Sequence, residues 1–236
     1  MTVLPVVYLA AGEGARLRPL TDSAPKALLE VGGISLAERA LSSLRAAGAG
    51  EVIAVTGHAR ESLRSLGDLI DEERFNPRYV EYGNVYSLWC ARDVVAGGCH
   101  IVNCDVLFEE AIARALVAAP GSAVLTAADH GVDAESMKAV VRDGRLAELS
   151  KAAAVGPHPE YIGLARIAPA HGPLLAGVLE RFVREGRLDV YYEDAIQELA
   201  AEVPVGVVPV DGLAWIEIDD HEDLARARGA VLDRVA

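Results

Sequence analysis

The chain has 236 residues, of which 52% are hydrophobic, and its formal net charge is −13. This length and hydrophobic content suffice for one α/β domain with a full core, but not for two large domains. Such an acidic surface repels a phosphate backbone, which argues against nucleic acid as a general partner. A polyanionic ligand would therefore need a local pocket in which a few Lys and Arg residues stand beside carboxylates.

The cysteines and the hydropathy pattern indicate a cytoplasmic protein. Cys90, Cys99 and Cys104 are odd in number and show no CxxC spacing, which is typical of a reducing compartment. The N-terminal segment lacks the basic region of a signal peptide, and no apolar run reaches the roughly 18–20 residues of a membrane span. We therefore expect no membrane partner.

The first half of the chain alternates predicted strands and helices. Continuous apolar runs are typical of buried parallel strands, and apolar residues three or four apart are typical of helices. The predicted strands are 3–10, 51–56, 74–80, 100–103 and 123–127. The predicted helices are 35–47, 59–70, 86–95 and 109–118, and residues 12–26 form a polar loop.

The second half mixes hairpins and helices. A tight Asp143-Gly144 turn joins predicted strands 137–141 and 145–149. Further predicted strands are 161–167, 205–210 and 214–218, and further predicted helices are 169–184, 190–202 and 220–235. The whole pattern predicts a single α/β domain with a Rossmann-like, doubly wound, mostly parallel mixed sheet. Ligands in such sheets bind at the carboxyl ends of the strands, so the loops after the first and fourth strands should form the site.

The loop after the first strand carries the strongest motif. The string LAAGEGARLRPLT begins at Leu9 and is followed by a Pro-Lys pair that ends at Lys26. Gly12 and Gly14 let the backbone point its N–H groups at an anion, and Arg16 and Lys26 add positive charge that suits a triphosphate. A dinucleotide-binding fingerprint would need a third glycine where leucine stands, and the P-loop pattern GxxxxGK[ST] is absent.

Acidic residues follow two of the predicted strands. Asp105 comes directly after strand 100–103, and Glu217 and Asp219 alternate at the end of the strand before the last helix. Alternating residues share one face of a strand, where two acids are costly unless they are solvated or paired with cations. The residues alone leave open a turn role for Asp105 and a solvated sheet edge for the other two.

The glycine-loop string resembles the signature (L)AAGxGxRLxPLT…PK of the sugar-phosphate nucleotidylyltransferase superfamily, and the resemblance covers essentially the whole chain. It implies a GT-A-like nucleotidyltransferase domain over 1–236, with a nucleotide-binding half, 1–130, and an acceptor-binding, sheet-completing half, 131–236. It also implies catalytic roles for Arg16, Lys26, Asp105 and Lys151. The residues implied to bind the nucleotide are Leu9, Ala10, Ala11, Gly12, Gly14, Arg16 and Lys26. The implied cofactor is Mg²⁺, held by Asp105, Glu217 and Asp219, although the family has Gly-Asp where this chain has Cys104-Asp105.

Three shorter strings resemble the phosphocholine, alcohol-phosphate or phosphonate cytidylyltransferase-like branch of this superfamily. They are N-x-Y-S-L at 84–88, Y-Y-E-D at 191–194 and E-I-D at 217–219. This resemblance implies that Glu81, Asn84 and Ser87 contact the nucleotide. The implied acceptor-binding residues are Lys151, Tyr161, Tyr192 and Glu193, with Lys138 as a further candidate. An aromatic ring beside acids suits a cationic headgroup, but Tyr192 could equally pack beneath its helix.

The resemblance implies that CTP reacts with a small phosphorylated alcohol or phosphonate to give a CDP- or CMP-linked product and pyrophosphate. The expected acceptors are phosphocholine-like compounds, then phosphonates and inositol phosphate. The alternatives are a sugar-1-phosphate nucleotidylyltransferase and a non-catalytic regulatory subunit of the same fold. The resemblance also allows a homodimer, for which the sequence offers no self-complementary patch.

Overall fold

The strands of the molecule follow the apolar runs of the sequence. The computed structural model describes residues 3–129, 131–153 and 156–235. Its strands are β1 Val6–Ala10, β2 Glu30–Val31, β3 Ile34–Ser35, β4 Val52–Thr56, β5 Glu72–Phe75, β6 Cys99–Asn103, β7 Val106–Phe108, β8 Ser122–Ala127, β9 Lys138–Arg142, β10 Arg145–Ser150, β11 Glu160–Ile167, β12 Val205–Pro209 and β13 Trp215–Glu217.

Nine strands form the main sheet, in the order β5-β4-β1-β6-β11-β8-β12-β10-β9. Strands β5, β4, β1 and β6 are parallel neighbours, and β8 and β12 also pair in parallel. Strand β11 lies antiparallel between β6 and β8, and the antiparallel pair β9 and β10 completes the far side. This topology confirms the predicted single α/β domain with a mixed sheet, but the sheet is less parallel than predicted, because half of its neighbouring strand pairs are antiparallel.

Helices cover both faces of the sheet. They are α1 Leu36–Ala46, α2 Asn84–Cys90, α3 Arg92–Ala96, α4 Glu110–Ala118, α5 Gly172–Arg184, α6 Tyr192–Glu202, α7 His221–Arg226 and α8 Leu232–Val235. Alternate residues of β1 enter opposite cores: Val7 and Leu9 pack towards α2 and α5, whereas Tyr8 packs towards α1 and α4. A strand buried on both faces reads as a continuous apolar run, which is why the sequence predicted it.

The structure confirms the predicted start of the first helix and the predicted turn of the hairpin. The Ser35 hydroxyl accepts a hydrogen bond from the Glu38 N–H at the start of α1, as expected of an N-cap. The hairpin between β9 and β10 turns at Asp143 and Gly144, whose φ angles are 51° and 73°. Positive φ at both central residues gives the turn a twist that matches that of the flanking strands.

Other predicted elements differ from the observed ones in detail. The helix predicted at 59–70 is present as a 3-10 helix, Arg60–Leu69, which is interrupted at Gly67, where φ is 51° and ψ is −127°. The strand predicted at 74–80 lies earlier, at β5, and the helix predicted at 86–95 is divided into α2 and α3 at Ala91. The last predicted helix is divided by a π-helical turn, Ala227–Val231, in which Gly229 departs from helical geometry.

The strand predicted at 214–218 does not join the main sheet. Its observed part, β13, pairs antiparallel with β7, a strand that the sequence analysis missed. In this pair Glu217 lies opposite Val106, and the Ile218 N–H donates to the Asp105 carbonyl oxygen at 2.9 Å. The small ladder therefore brings two distant acidic segments of the chain side by side.

Within the described ranges, no helix is both long enough and apolar enough to span a membrane.

Candidate active site

The glycine loop after β1 forms the wall of a cavity of about 350 Å³. Gly14 adopts a left-handed conformation, with φ 60°, and a Cβ there would lie 3.1 Å from the Thr21 methyl carbon. The Thr21 hydroxyl donates to the Gly14 carbonyl oxygen at 2.8 Å, which closes the loop. Of the residues expected to contact a nucleotide, those that line this cavity are Leu9, Ala11, Gly12, Gly14, Arg16, Lys26, Asn84 and Ser87.

Two expected nucleotide-binding residues are not among those that line this cavity. Ala10 is buried on the opposite face of β1, in the core beneath α1 and α4. Glu81 is exposed, and its carboxylate lies 3.4 Å from the Arg78 guanidinium. The structure therefore places Glu81 outside this cavity, and the part of this segment that lines the cavity starts at Asn84.

Both predicted cations contact the predicted acids. Lys26 Nζ lies 3.0 Å from Asp105 Oδ2 and 2.7 Å from Asp219 Oδ1. Arg16, on the more exposed side, reaches the other oxygen of Asp219 at 2.8 Å. Burial alone would lower the pKa of Lys26, but the two neighbouring carboxylates raise it on balance, so its ammonium remains charged.

The three predicted metal ligands converge. Ligand atoms of Asp105, Glu217 and Asp219 lie within 4.8 Å of one another. Asp105 precedes β7, Glu217 ends β13 and Asp219 lies two residues beyond it, so the small ladder positions all three. Asp105 Oδ1 is buried and has no hydrogen-bond partner among the described residues.

The acids differ in their affinity for protons. Desolvation, with Asp105 and Asp219 close by, raises the pKa of Glu217 to about 8. Burial also acts to raise the pKa of Asp219, but Lys26 and Arg16 outweigh it, and the pKa is lowered. Crowded carboxylates of this kind are stabilised by any cation that enters among them.

A second cavity, of about 730 Å³, adjoins the first. Three predicted acceptor-binding residues, Lys151, Tyr161 and Glu193, line it. Lys151 Nζ lies 3.6 Å from the Glu135 carboxylate and 5.2 Å from the centre of the Tyr191 ring. Burial raises the pKa of Glu193 to about 7, and its Oε2 atom has no hydrogen-bond partner within the described residues.

The fourth predicted acceptor-binding residue, Tyr192, is not at the cavity wall. It is fully buried in the core, and its hydroxyl donates to Asn103 Oδ1 at 3.0 Å. The neighbouring Tyr191, which is 48% exposed, lines the cavity instead. The further candidate Lys138 is also fully buried, where its ammonium donates to the carbonyl oxygens of Ser136 and Lys151.

Sequence analysis missed several residues of the site. Asn103 lines both cavities, and Asp133, Glu135 and Glu160 make the larger cavity acidic. Asn103 could have been found, because it is a polar residue at the carboxyl end of a predicted central strand. The three acids carry no comparable signal, since they follow no motif: Asp133 and Glu135 lie in the irregular segment before β9, and Glu160 is the first residue of β11.

Comparison with known proteins agrees with this arrangement. Residues 6–177 match the family model of the MobA-like NTP transferase domain. A bifunctional IPC transferase and DIPP synthase of Aquifex aeolicus is 26% identical over 227 residues, and the match spans 94% of this chain but only 50% of that protein. A 2-aminoethylphosphonate cytidylyltransferase of Lancefieldella rimae is 25% identical over 236 residues, spanning 93% of this chain and 89% of that one.

Solved structures support the same fold. A CTP:phosphocholine cytidylyltransferase from Streptococcus pneumoniae superposes with a TM-score of 0.84 at 22% identity, over 96% of this chain and 98% of that chain. Its low identity makes it evidence for the fold alone, whereas the family model matches well over half of the sequence. The chain belongs to the MobA-like NTP transferase family of nucleotidyltransferases.

Proposed function

We propose that this protein is a Mg²⁺-dependent cytidylyltransferase that joins CTP to a small phosphorylated alcohol or phosphonate and releases pyrophosphate. The observation that carries the proposal is the wall shared by the two cavities, to which Asn103, Asp105 and Asp219 contribute. A nucleotide in the smaller cavity and an acceptor in the larger one would meet at the acidic cluster. The cytidylyltransferase relatives support CTP as the nucleotide.

The acidic cluster fits Mg²⁺. Asp105, Glu217 and Asp219 offer the hard carboxylate oxygens that this ion prefers, and a metal ligand role would satisfy the buried Oδ1 of Asp105, which has no hydrogen-bond partner among the described residues. When bound there, Mg²⁺ supplies neutralising charge between the reacting phosphoryl group and the acceptor anion.

The cations and the glycine loop would hold the triphosphate. The backbone at Gly12 is open to a ligand, because a Cβ there would meet no atom within 4 Å. Arg16 and Lys26 already face the acids and would turn their charge to the phosphates of CTP. Their positive charge would stabilise the negative charge that develops on the α-phosphoryl group and on the leaving pyrophosphate.

The reaction needs no nucleophile from the protein. An oxygen of the acceptor's phosphate or phosphonate attacks the α-phosphorus in line, and the bond to the β-phosphate oxygen breaks, so pyrophosphate leaves with the electron pair. Lys151, beside the larger cavity, would hold the acceptor's anionic group. Positioning and electrostatic stabilisation therefore account for catalysis.

The larger cavity favours an acceptor with a positive charge. Its wall carries the exposed ring of Tyr191 and the Glu193 carboxyl, one oxygen of which has no hydrogen-bond partner in the described part of the chain, and further acids lie nearby. Carboxylates and an aromatic face both attract an ammonium group. Aminoalkylphosphonates and phosphocholine are therefore the first acceptors to test, and the name of the Lancefieldella relative supports the former.

The test is pyrophosphate release by the purified protein with Mg²⁺, each of CTP, UTP, GTP and ATP, and a panel of acceptors. The panel holds phosphocholine, phosphoethanolamine, 2-aminoethylphosphonate, 2-hydroxyethylphosphonate, inositol phosphate and glucose-1-phosphate. We expect release with CTP and an amine-bearing acceptor, abolished by EDTA and by Asp105→Asn. Release only with glucose-1-phosphate would identify a sugar-1-phosphate enzyme, and no release with any pair would contradict the proposal.

A further inference from the structure

Asn103 occupies the boundary between the two cavities. It is the last residue of the central strand β6, two positions before Asp105, and its side chain lines both cavities. If a nucleotide fills one cavity and an acceptor the other, the reacting phosphorus lies at this boundary. A side chain here would contact the group that is transferred.

Two buried tyrosines orient the Asn103 amide. The Tyr192 hydroxyl donates to Asn103 Oδ1 at 3.0 Å, and the Tyr161 and Tyr192 hydroxyl oxygens are 2.9 Å apart. A tyrosine hydroxyl has one proton, and Tyr192 gives its proton to Asn103, so Tyr161 is the donor in the bond between the two hydroxyls. The relay thus runs from Tyr161 through Tyr192 to the amide oxygen.

This relay determines which end of the amide can meet a ligand. Because Oδ1 accepts a hydrogen bond from the buried Tyr192 hydroxyl, Nδ2 is the amide atom that remains available to a ligand in the cavities. Nδ2 lies beside Gly163, whose φ is 77° and where a Cβ would stand only 2.9 Å from it. Glycine at this point of β11 therefore leaves room for the nitrogen, and Gly163 itself lines the larger cavity.

We propose that Asn103 is a catalytic residue of the transfer, in which Nδ2 donates a hydrogen bond to a non-bridging oxygen of the α-phosphoryl group. This inference rests on the proposed function. As the acceptor oxygen bonds to the phosphorus and the bond to pyrophosphate breaks, negative charge builds on the non-bridging oxygen. The Nδ2 donor is already oriented towards that oxygen and stabilises the charge. A flipped amide would present its oxygen to the anion. With Tyr192 donating to Oδ1, the amide presents Nδ2 instead, so Tyr192 and Tyr161 are positioning residues.

The test compares Asn103→Ala, Tyr192→Phe and the double variant in single-turnover transfer with CTP and the best acceptor. Asn103→Ala should lower the rate about 10²-fold to 10³-fold, the loss typical of one removed donor, while the KM values for CTP and acceptor change little. Tyr192→Phe keeps the ring and should lower the rate about tenfold. In the Asn103→Ala background it should have no further effect, because the group that it positions is gone.

A matched control separates this role from general damage. Tyr8→Phe removes the hydroxyl of another fully buried tyrosine, which lies 3.5 Å from the Cys104 carbonyl oxygen, and should leave the rate unchanged. If Tyr192→Phe fails to fold, Tyr161→Phe probes the outer step of the relay and should give a smaller loss than Asn103→Ala.

Three results are decisive. An Asn103→Ala rate within fivefold of an active wild type would overturn the assignment and leave the proposed function standing. Losses that multiply in the double variant would overturn the relay. A wild type without transfer activity would refute the proposed function itself, and the assignment with it.

Discussion

Lys26 is the buried cation that contacts two of the three clustered acids, and its removal should lower the stability of the fold by a measurable amount. Its side chain is only 9% exposed, and its ammonium contacts Asp105 and Asp219. Lys26→Met leaves both carboxylates, with Glu217, facing one another without a central cation. Removing one partner of a buried ion pair costs about 3–5 kcal/mol. The two acids are 20% and 33% exposed and regain some hydration, so we expect about 3 kcal/mol.

For a domain of this size, that loss corresponds to a fall in melting temperature of roughly 6–12 °C. The assay is thermal unfolding in EDTA and then in excess Mg²⁺. Because the ion would take the place of the ammonium, Mg²⁺ should stabilise Lys26→Met more than it stabilises the wild type. Lys151→Met is the control, since the Lys151 ammonium lies 3.6 Å from the exposed carboxylate of Glu135, and the loss of such a weak surface pair should change stability little. A variant that melts within 2 °C of the wild type, or that gains no more from Mg²⁺, would refute this reasoning.

Three further predictions follow from the site. The pKa of Glu193 is raised from 4.5 to about 7, so the folded state binds more protons than the unfolded state between these pH values. The contribution of this residue to the free energy of unfolding therefore falls by about 3 kcal/mol as pH rises through this range. Glu193→Gln should make the free energy of unfolding, measured by denaturation from pH 4.5 to 8, less dependent on pH, and an unchanged slope would count against this prediction. Gly14→Ala forces a side chain into left-handed backbone and against Thr21, so it should cost about 1–2 kcal/mol and raise the KM for CTP, whereas Gly12→Ala should leave the melting temperature unchanged. Lys151→Met should raise the KM for the acceptor at least tenfold and leave the KM for CTP alone, and equal changes in both would contradict its placement.

Local chemistry made part of this site predictable. The apolar run of β1 and the glycines after it need no partner elsewhere in the chain to reveal a strand and an anion-binding loop. Asp105 could be placed at the ligand-binding edge of the sheet because it follows a buried strand. Predictions of this kind depend on neighbours in sequence, and the structure confirms the strand and the loop. The convergence of the acids was implied by the family resemblance alone.

Two kinds of feature were predicted wrongly or missed: the face of a helix on which a residue lies, and the pairing of strands that are far apart in sequence. Helix α6 starts at Tyr192, which shares the buried face with Ala195, Ile196 and Leu199. That spacing was visible in the sequence and indicated a core residue, so Tyr191 was the better choice for the cavity. The pairing of β7 with β13 joins segments about one hundred residues apart, and no local pattern predicts it.

The proposed function depends on transfer of the cytidylyl group of CTP to an anionic oxygen of the acceptor. The most direct measurement is mass spectrometry and ³¹P NMR of the products from CTP, Mg²⁺ and the acceptor that releases most pyrophosphate. We predict a product that carries one CMP unit on the acceptor's phosphate or phosphonate, formed in equal amount with pyrophosphate. Free CMP and pyrophosphate, with the acceptor recovered unchanged, would contradict the account.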